Sequence, residues 1–426
     1  MDISINPAPD ALRRLFERNI PVDDIQVDES VRNIINDVKA NGDEALRRLA
    51  LRFDHAELSE IEVAPSRCRE AVDAIGKDVL EAMQQAASNI KAFHRAQLVN
   101  PIEVETMPGV TCIQRQVPIP RVGLYIPGGR APLFSTVLML AIPARLAGCR
   151  EVVLCTPASE GGYIAPEILA AATICGVDKV FAIGGAQAIA AMAYGTETIP
   201  RVNKIFGPGN RYVTKAKQLV SISTAIDMPA GPSEVMVIAD DRANPAFVAA
   251  DLLSQAEHGP DSQSVLLCLS QDFAEKVMEQ IGCLRKQLHR SECIESSLAK
   301  SHIIVLPDEK AMIDAANQYA PEHLIIAMEN ATEIAKFATE AGSVFIGDYA
   351  PESAGDYASG TNHTLPTGGW AAALSGVNTD SFMRRVTYQT ISRQGLDSLA
   401  PVITTMARAE GLDAHALAVT IRIKND

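Results

Sequence analysis

Runs of almost uniformly apolar residues alternate with amphipathic stretches through the middle of this chain. The apolar runs 122–126, 151–155 and 179–183 predict buried strands, and each is followed by a pattern typical of a helix. Strands of a parallel sheet are covered by helices on both faces, so they carry few polar positions. This region therefore predicts an α/β domain built on a parallel sheet.

The same alternation returns in the second half of the chain. The apolar runs that predict strands there are 234–239, 265–269, 302–306, 323–327 and 343–346. Two halves with the same alternation of strands and helices indicate an internal duplication, although no residue-level repeat is visible. The connection between them, residues 198–232, is rich in Gly and Pro, and we expect its sharp turns to form the wall of a crevice.

The flanking segments have weaker patterns. Before the first apolar run, the sequence predicts a short helix at 10–18, two long helices and a pair of strands within 104–117. The long helices cover 29–53, with a break at Asn41-Gly42, and 65–97. After the last run, residues 348–375 are Gly- and Ser-rich, and the chain is predicted to end in a helix, 395–418, and a strand, 419–423.

Composition narrows the class of protein. The 426 residues are 47% hydrophobic and 21% charged, as in ordinary globular enzymes, and the length allows a large core. The formal charge of −14 argues against nucleic acid or an anionic membrane surface as a partner. Acidity for solubility explains this charge as well.

The eight cysteines include no CxxC pair, and several lie inside apolar runs. Free thiols used as small hydrophobic side chains are typical of a reduced, cytoplasmic protein, which we expect here. The first residues lack the apolar core of a signal peptide, and no run is long and apolar enough to span a bilayer.

One polar motif, SQAEHGPDSQ, follows a predicted helix. Gln255 and His258 are three residues apart, so on a continuing helix they share a face, and their oxygen and nitrogen atoms could both reach a divalent metal. The same pair is also typical of a polar helix end that faces water.

Three further motifs combine His with carboxylates. In PEH, the side chains of Glu322 and His323 diverge at the start of a strand and could serve two different protons, or one of them could cap the preceding turn. Asp356 could supply an oxygen to a metal or simply form a turn. His363 and His415 lie in the other dense polar motifs, whereas His55, His94, His289 and His302 are assigned surface or core roles.

Three Gly-rich loops follow strands or precede helices: YIPGGRAP, AIGGAQAIA and FGPGN. Small residues let backbone amides approach a phosphate, and a helix N-terminus favours its charge. None matches G-x-G-x-x-G, and each loop alone could be a structural turn. Because the three loops follow successive strands of one sheet, a nucleotide-binding crevice is as strongly indicated as three structural turns.

Several long motifs, in order and without large gaps over about residues 28–419, resemble the histidinol dehydrogenase family. They are LYIPGG, APLFSTVLMLA, GGAQAIAA, KIFGPGN, AIDMPAGPSEV, DLLSQAEHGPDSQ, NQYAPEHLII and PESAGDYASGTNH. The resemblance implies NAD-dependent oxidation of L-histidinol to L-histidine through the aldehyde and its hydrate. This is the last stage of histidine biosynthesis, with one zinc per subunit and two NAD per turnover.

The resemblance also implies roles for individual residues. Glu322 and His323 match the catalytic pair, His323 as the base for both oxidations and Glu322 as the group that helps activate water. The positions that match zinc ligands are Gln255, His258, Asp356 and His415. Those that match substrate contacts are Ser233, Gln255, His258, His323, Asp356, Glu410 and His415. Those that match NAD contacts are Tyr125, Gln187 and Asn210. The role of His363 stays open.

At the level of architecture, we expect two incomplete Rossmann-like, doubly wound domains and terminal segments that pack on a dimer partner. The family implies a homodimer in which the C-terminal segment with Glu410 and His415 completes the partner's site. The predicted units are an N-terminal segment (1–25), a discontinuous α/β domain (26–124 with 233–377), an NAD-binding domain (125–232) and a dimerisation segment (378–426).

Two other functions are compatible with the motifs. One is a different NAD-dependent dehydrogenase that acts on another amino alcohol. The other is a metal-binding or regulatory protein that has lost catalysis, against which the intact Glu322-His323 pair argues, since such a protein has no need of both groups.

Overall fold

The computed structural model describes residues 1–18, 25–128, 132–229 and 231–423, and it is a mixed α/β fold. In chain order the strands and α-helices are β1 (Asp2–Ile5), α1 (Pro9–Leu15), α2 (Ile25–Asp54), α3 (Pro65–Ala74), α4 (Lys77–Arg95), β2 (Ile102–Met107), β3 (Val110–Pro118), β4 (Arg121–Tyr125), α5 (Phe134–Ala147), β5 (Glu151–Cys155), α6 (Pro166–Ile174), β6 (Lys179–Phe181), α7 (Gly185–Tyr194), β7 (Lys204–Phe206), α8 (Arg211–Val220), β8 (Ala225–Ile226), β9 (Glu234–Ala239), α9 (Pro245–Ala256), β10 (Gln263–Cys268), α10 (Gln271–Leu284), α11 (Ser291–Leu298), β11 (His302–Val305), α12 (Glu309–Tyr319), β12 (His323–Ala327), α13 (Ala331–Ile334), β13 (Ser343–Ile346), α14 (Glu352–Tyr357), β14 (Met383–Ile391), α15 (Arg393–Ala409) and α16 (Asp413–Ile423). Short 3-10 helices lie at Glu160–Gly162, Arg285–Gln287, Ala335–Phe337, Trp370–Ala372 and Thr379–Phe382.

Two parallel sheets form the centre of the fold. The first has the order β6-β5-β4-β7-β8, and the second has the order β1-β11-β10-β9-β12-β13. Each strand of the first sheet from β4 to β7 is buried along most of its length, as the apolar runs predicted. Counted from β4 or from β9, both sheets share the order 3-2-1-4-5. The predicted parallel α/β architecture is therefore confirmed.

The N-terminal segment packs within its own chain. Residues Asp2 to Ile5 pair in parallel with His302 to Val305, and they add a sixth strand to the second sheet. The edge of β11 offers unpaired backbone groups, and β1 satisfies them. The packing of this segment on a dimer partner stays a prediction. The strand itself was missed because it is only four residues long.

Helices α2, α3 and α4 cover the first sheet. Their buried residues, among them Val31, Leu46 and Ile90, share one hydrophobic core with Leu124 and Leu154 of that sheet. The predicted units place residues 26–124 together with the second sheet instead. The apolar faces of these helices do not reveal which sheet they cover, so the sequence could not decide it. The exact domain boundaries stay a prediction.

Two other segments differ from the sequence-based expectations. The connection 198–232 is more regular than predicted, because it contains β7, α8 and β8 of the first sheet. The last residues form helix α16, where a strand was predicted from the apolar and β-branched residues of 419–423. Packing between α15 and α16 overrides that local preference. Strand β14, also missed, pairs with β3 and, through β3, with β2 in a third, antiparallel sheet.

Among the described residues, no helix is both long enough and apolar enough to cross a bilayer. The eight cysteines are all free. Burial raises the pKa of the Cys155 and Cys175 thiols, so both are protonated, unreactive parts of the core.

The turn after β7 approaches β4 so closely that only glycine fits. Gly207 has φ +123°, and a Cβ atom there would lie 2.0 Å from the carbonyl oxygen of Tyr125. We predict that Gly207→Ala lowers the free energy of unfolding by about 2–4 kcal/mol, measured by urea denaturation. The control is Gly282→Ala in α10, where a Cβ meets no atom within 4 Å. It should stabilise the protein by about 0.5–1 kcal/mol, and equal effects of the two substitutions would contradict this reading of Gly207.

Candidate active site

The PEH motif lies at the amino end of β12, in the middle of the second sheet. Helix α12 ends at Tyr319, Ala320 adopts a left-handed conformation with φ +49°, and Pro321 cannot continue the helix. The chain then turns directly into β12 with Glu322 and His323, which are both buried. The turn chemistry therefore delivers the two side chains to the amino edge of the sheet.

Three carboxylates surround the imidazole of His323. Its Nδ1 lies 3.7 Å from Oε2 of Glu322 and 3.6 Å from Oε1 of Glu352, and its Nε2 lies 3.6 Å from Oδ1 of Asp356. Burial lowers the pKa of His323, but the nearby carboxylates outweigh it and raise the value to about 10. The carboxylates around His323 therefore favour the imidazolium form of its side chain.

Glu352 is a member of the site that the sequence analysis missed. It is buried, and neither of its carboxylate oxygens has a hydrogen-bond partner among the described residues. Burial raises its pKa to about 8. Glu352 and Asp356 are four residues apart on α14, so they share a face. That spacing is a local signal that the two carboxylates face the same way, but it does not show that His323 lies opposite them.

The predicted metal-ligating pair Gln255 and His258 lies beside this cluster. Gln255 is fully buried in the last turn of α9, and both atoms of its amide lack a partner in the described part of the chain. His258 follows the end of α9 and faces the surface on one side. Burial lowers its pKa, while the charge of Asp356 raises it and that of His323 lowers it further. His258 therefore lies close enough to Asp356 and His323 for their charges to act on its imidazole.

Asp356 connects the site to the other sheet through His363. Burial raises the pKa of Asp356, but His323, His363 and His258 outweigh it, so the carboxyl group titrates below its usual range. Nδ1 of His363 lies 2.9 Å from the carbonyl oxygen of Asp356, and its Nε2 lies 3.2 Å from Oγ1 of Thr136 on α5. His363 therefore holds the Asp356 backbone against a helix of the first sheet.

The donor atoms of His323, Glu352 and Asp356 all lie within 4.8 Å of one another, an arrangement that could hold a metal ion. Among residues 1–18, 25–128, 132–229 and 231–423, this is the group of His, Cys, Asp and Glu donors that meets that distance. His415 and Glu410, predicted as ligand and substrate contact, are exposed on α16 and at the end of α15 and are not in the cluster. A single chain therefore does not bring all the predicted ligands together.

The profile of the histidinol dehydrogenase family matches residues 18–423. The chain belongs to the histidinol dehydrogenase family. It is 54% identical to histidinol dehydrogenase of Bacteroides fragilis (strain YCH46) over 397 residues, 93% of both proteins. It is 52% identical to that of Escherichia coli (strain K12) over 400 residues, 93% of this chain and 91% of the relative.

A solved structure agrees with the sequence relatives. The crystal structure of histidinol dehydrogenase from Elizabethkingia anophelis superposes with a TM-score of 0.96 at 48% identity. The match covers 100% of this chain and 98% of that one. This member of the histidinol dehydrogenase family is thus an oxidoreductase whose whole fold follows that of its relatives.

The predicted cofactor residues of this histidinol dehydrogenase family member lie at the carboxyl edge of the first sheet. Tyr125 ends β4 and is buried, and its hydroxyl accepts a hydrogen bond from the backbone N–H of Gly185 at 3.1 Å. Gln187 is buried in the first turn of α7, and Asn210 caps α8 by accepting hydrogen bonds from Tyr212 and Val213. All three thus have structural contacts in the loops where a nucleotide was predicted.

Two of these glycine-rich loops meet at Pro157. A Cβ atom at Gly128 or at Gly184 would lie 2.3 Å from an atom of the Pro157 side chain. The small residues are therefore needed for loop packing whether or not a phosphate binds. Residues 129–131 of the PGGRAP motif lie outside the described residues.

Ser233, the predicted substrate contact next to β9, lines a cavity of about 240 Å³ at the amino edge of the second sheet. Arg18, Glu234, Lys300 and His302 also line it. The cavity lies on the same edge of the sheet as His323, but neither Glu322 nor His323 lines it.

The unpartnered amide of Gln255 has a measurable consequence in the absence of metal. We predict that Gln255→Met raises the free energy of unfolding by roughly 1 kcal/mol in a chelating buffer, because two buried polar atoms without hydrogen bonds are removed. Urea denaturation measures the change. Gln263→Met is the control: its Nε2 donates to Lys300 and its Oε1 accepts from Tyr319, so that substitution should destabilise the protein. Destabilisation by Gln255→Met would mean that its amide is satisfied within the protein.

Proposed function

We propose that this protein catalyses the NAD-dependent oxidation of L-histidinol to L-histidine, the last step of histidine biosynthesis, in two two-electron steps with one zinc ion per subunit. Membership of the histidinol dehydrogenase family supports the reaction. The observation that carries the proposal is the convergence of His323 and Asp356 in one buried cluster, with His258 close enough for its charge to act on Asp356.

The residues present suit a zinc ion. Gln255, His258 and Asp356 offer nitrogen and oxygen donors, and His415 of a second subunit would complete the set. The two unpaired atoms of Gln255 favour this assignment, because a buried amide without partners is costly unless an ion or a ligand satisfies it. No cysteine is required, in accord with the unreactive, buried thiols.

The protein side of the chemistry lies in Glu322 and His323. When bound, zinc holds the nitrogen atoms of histidinol in place and NAD accepts a hydride in each step. His323 removes the hydroxyl proton as hydride leaves the carbon, which gives the aldehyde. Glu322 takes a proton from the water that adds to that aldehyde, while His323 returns its proton to the aldehyde oxygen. The neutral imidazole then removes a hydroxyl proton of the hydrate during the second hydride transfer.

The charge balance of the site fits this assignment. The carboxylates that raise the pKa of His323 include Asp356, a proposed zinc ligand. A divalent cation at Asp356 offsets that negative charge and therefore favours the neutral imidazole that a base requires. Zinc binding and base strength are thus coupled through one carboxylate.

The remaining assignments concern binding. Ser233 and Glu410 are proposed to contact histidinol, and Tyr125, Gln187 and Asn210 to contact NAD. The proposed NAD crevice lies where the strand order of the first sheet reverses, between β4 and β7, which is the usual ligand position in doubly wound sheets.

A homodimer with shared sites accounts for the exposed positions of Glu410 and His415. Helices α15 and α16 also expose the apolar side chains of Val402, Met406, Leu417 and Ile421. A second copy of the chain would cover these apolar groups and bring its His415 to the zinc site. We further propose that the two sheets arose by duplication, since both have the strand order 3-2-1-4-5.

The direct test of the function is the appearance of NADH when histidinol and NAD are added to the purified protein. We predict two NADH per histidinol, and a fall in kcat of about 10²–10⁴-fold for His323→Asn with the metal content unchanged. Absorbance and metal analysis measure these quantities. A near wild-type rate for His323→Asn would refute its role as base.

The same assay separates the alternatives. Faster turnover of another amino alcohol than of histidinol would indicate a different NAD-dependent dehydrogenase. Absence of NADH with every amino alcohol, at full zinc occupancy, would indicate a metal-binding or regulatory protein without catalysis.

Shared sites can be tested by mixing subunits. Asp356→Ala and His415→Ala homodimers should each be inactive, whereas a heterodimer of the two contains one intact site. Random re-pairing is therefore expected to restore about a quarter of the wild-type activity, measured as NADH formation. The control mixture of Asp356→Ala with Gln255→Ala should recover nothing beyond the separate variants, because both changes affect ligands from the same subunit. No recovery in the first mixture would count against shared sites.

A further inference from the structure

One residue outside the predicted site, Glu234, contacts both members of the catalytic pair. It is the first residue of β9 and is buried. Its backbone N–H donates to Oε2 of Glu322 at 2.9 Å, and its own Oε1 accepts from the backbone N–H of Glu322 at 3.3 Å. Its carbonyl oxygen lies 3.3 Å from Nδ1 of His323. Glu234 therefore uses its backbone and its side chain to hold the two residues.

The carboxylate of Glu234 is surrounded by N–H donors. Oε2 accepts from Nε of Arg18 at 2.5 Å, and Oε1 accepts from Nη2 of Arg18 at 3.1 Å and from the backbone N–H of Gly368 at 3.1 Å. Burial raises the pKa of this carboxyl group, and Arg18 opposes that effect. Oε1 accepts three N–H groups and Oε2 accepts one from Arg18, and this set of donors favours the ionised form of the carboxylate.

Arg18 is itself fixed by the N-terminal segment and by α12. Its guanidinium lies 3.8 Å from the ring centroid of Tyr319, and its Nη2 donates to the carbonyl oxygen of Tyr319 at 2.5 Å. Phe16 packs edge-on against the same ring at 5.1 Å. Pairing of β1 with β11 anchors the start of the segment. The counter-charge of Glu234 thus comes from a segment more than 200 residues away in sequence.

We propose that Glu234 is a positioning residue for Glu322 and His323. Its backbone contacts both side chains, its carboxylate accepts the backbone N–H of Glu322, and Arg18 keeps that carboxylate in the form that accepts this hydrogen bond. If Arg18 is lost, the buried carboxylate has no counter-charge and is driven to take up a proton. A protonated carboxyl group donates at one oxygen, so it can no longer hold the Glu322 backbone as it does now. The inference rests on the proposed oxidation of histidinol and assigns that reaction two supporting residues.

The arrangement leads to a specific kinetic signature. Glu234 and Arg18 touch neither the proposed zinc ligands nor the proposed cofactor loops. Their substitution should therefore misplace the proton-transferring groups without changing metal content. Displacing such groups by about 1 Å costs on the order of 10²-fold in rate. A loss of general packing would instead lower the folded fraction and the thermal stability, and it would leave kcat per folded, zinc-containing subunit unchanged.

The experiment compares Glu234→Gln, Arg18→Gln, Arg18→Lys and the double variant Arg18→Gln/Glu234→Gln with the wild-type enzyme. We expect kcat for histidinol to fall about 10–100-fold in the two Gln variants, with KM and zinc content within about twofold of wild type. Arg18→Lys retains the charge but not the two-pronged geometry, so its kcat should lie between Arg18→Gln and wild type. The double variant removes both charges and should be no slower than Arg18→Gln alone.

Arg14→Gln on α1 is the matched control, since Arg14 is an exposed arginine of the same segment. It should behave as wild type. Unchanged kcat in Glu234→Gln and Arg18→Gln would overturn the proposal, as would a loss of zinc or a rise in KM that accounts for the whole effect. If Glu234→Gln does not fold, Arg18→Lys still decides, because a wild-type kcat there refutes the requirement for the Arg18 fork. An inactive wild-type enzyme would refute the proposed function itself, which separates the two failures.

Discussion

The buried ion pair between Arg18 and Glu234 connects distant parts of this molecule at one point. It joins the N-terminal segment, the amino end of β9 and the turn that presents Glu322 and His323. A buried pair of this kind is costly to desolvate, and removing one partner leaves an uncompensated charge. Such a pair is weak evidence for stability as such. Its value here is geometric, because the same carboxylate also aligns backbone groups beside the catalytic pair.

The two sheets share a strand order but use opposite edges. In the first sheet the carboxyl edge carries the glycine-rich loops, and the turn at Gly207 lies against Tyr125 at the reversal of strand order. At the equivalent edge of the second sheet, Asp240 accepts hydrogen bonds from Arg242, Ala243 and Glu329, so it ties the loops after β9 and β12 together. The donor cluster of the second sheet lies at its amino edge instead. The two sheets therefore have the same strand order, although the glycine-rich loops and the donor cluster lie at opposite edges.

Much of the fold was predictable because buried parallel strands leave a clear apolar signature. Strands β5, β9, β12 and β13 were predicted with the bounds that the structure has. Short or exposed elements were not: β1 is four residues long, and β14 is mostly exposed, so neither has an apolar run. The end of the chain carries strand-forming residues, yet packing of α16 on α15 makes it helical.

In the candidate site too, residues with a local sequence signal were predicted, and residues that depend on distant contacts were not. Local spacing identified Gln255 with His258 and Glu322 with His323, and the structure brings these pairs to one edge of a sheet. Glu352 and Glu234 were missed, because their significance depends on contacts with residues far away in sequence. His415 is exposed within one chain, and its proposed place at the zinc site requires a second subunit, which no pattern within one sequence can describe.

The pairing of β1 with β11 has a consequence for how the protein is made. The first strand to leave the ribosome has its partner about 300 residues downstream. At roughly 5–20 residues per second, it waits about 15–60 s before that partner is synthesised. Arg18 is likewise synthesised about 300 residues before Tyr319, so its contact with that ring can form only after this interval. Contacts of such long sequence separation form slowly, and a nascent chain therefore cannot fix Arg18 against Glu234 and Tyr319 until about 300 further residues have been added.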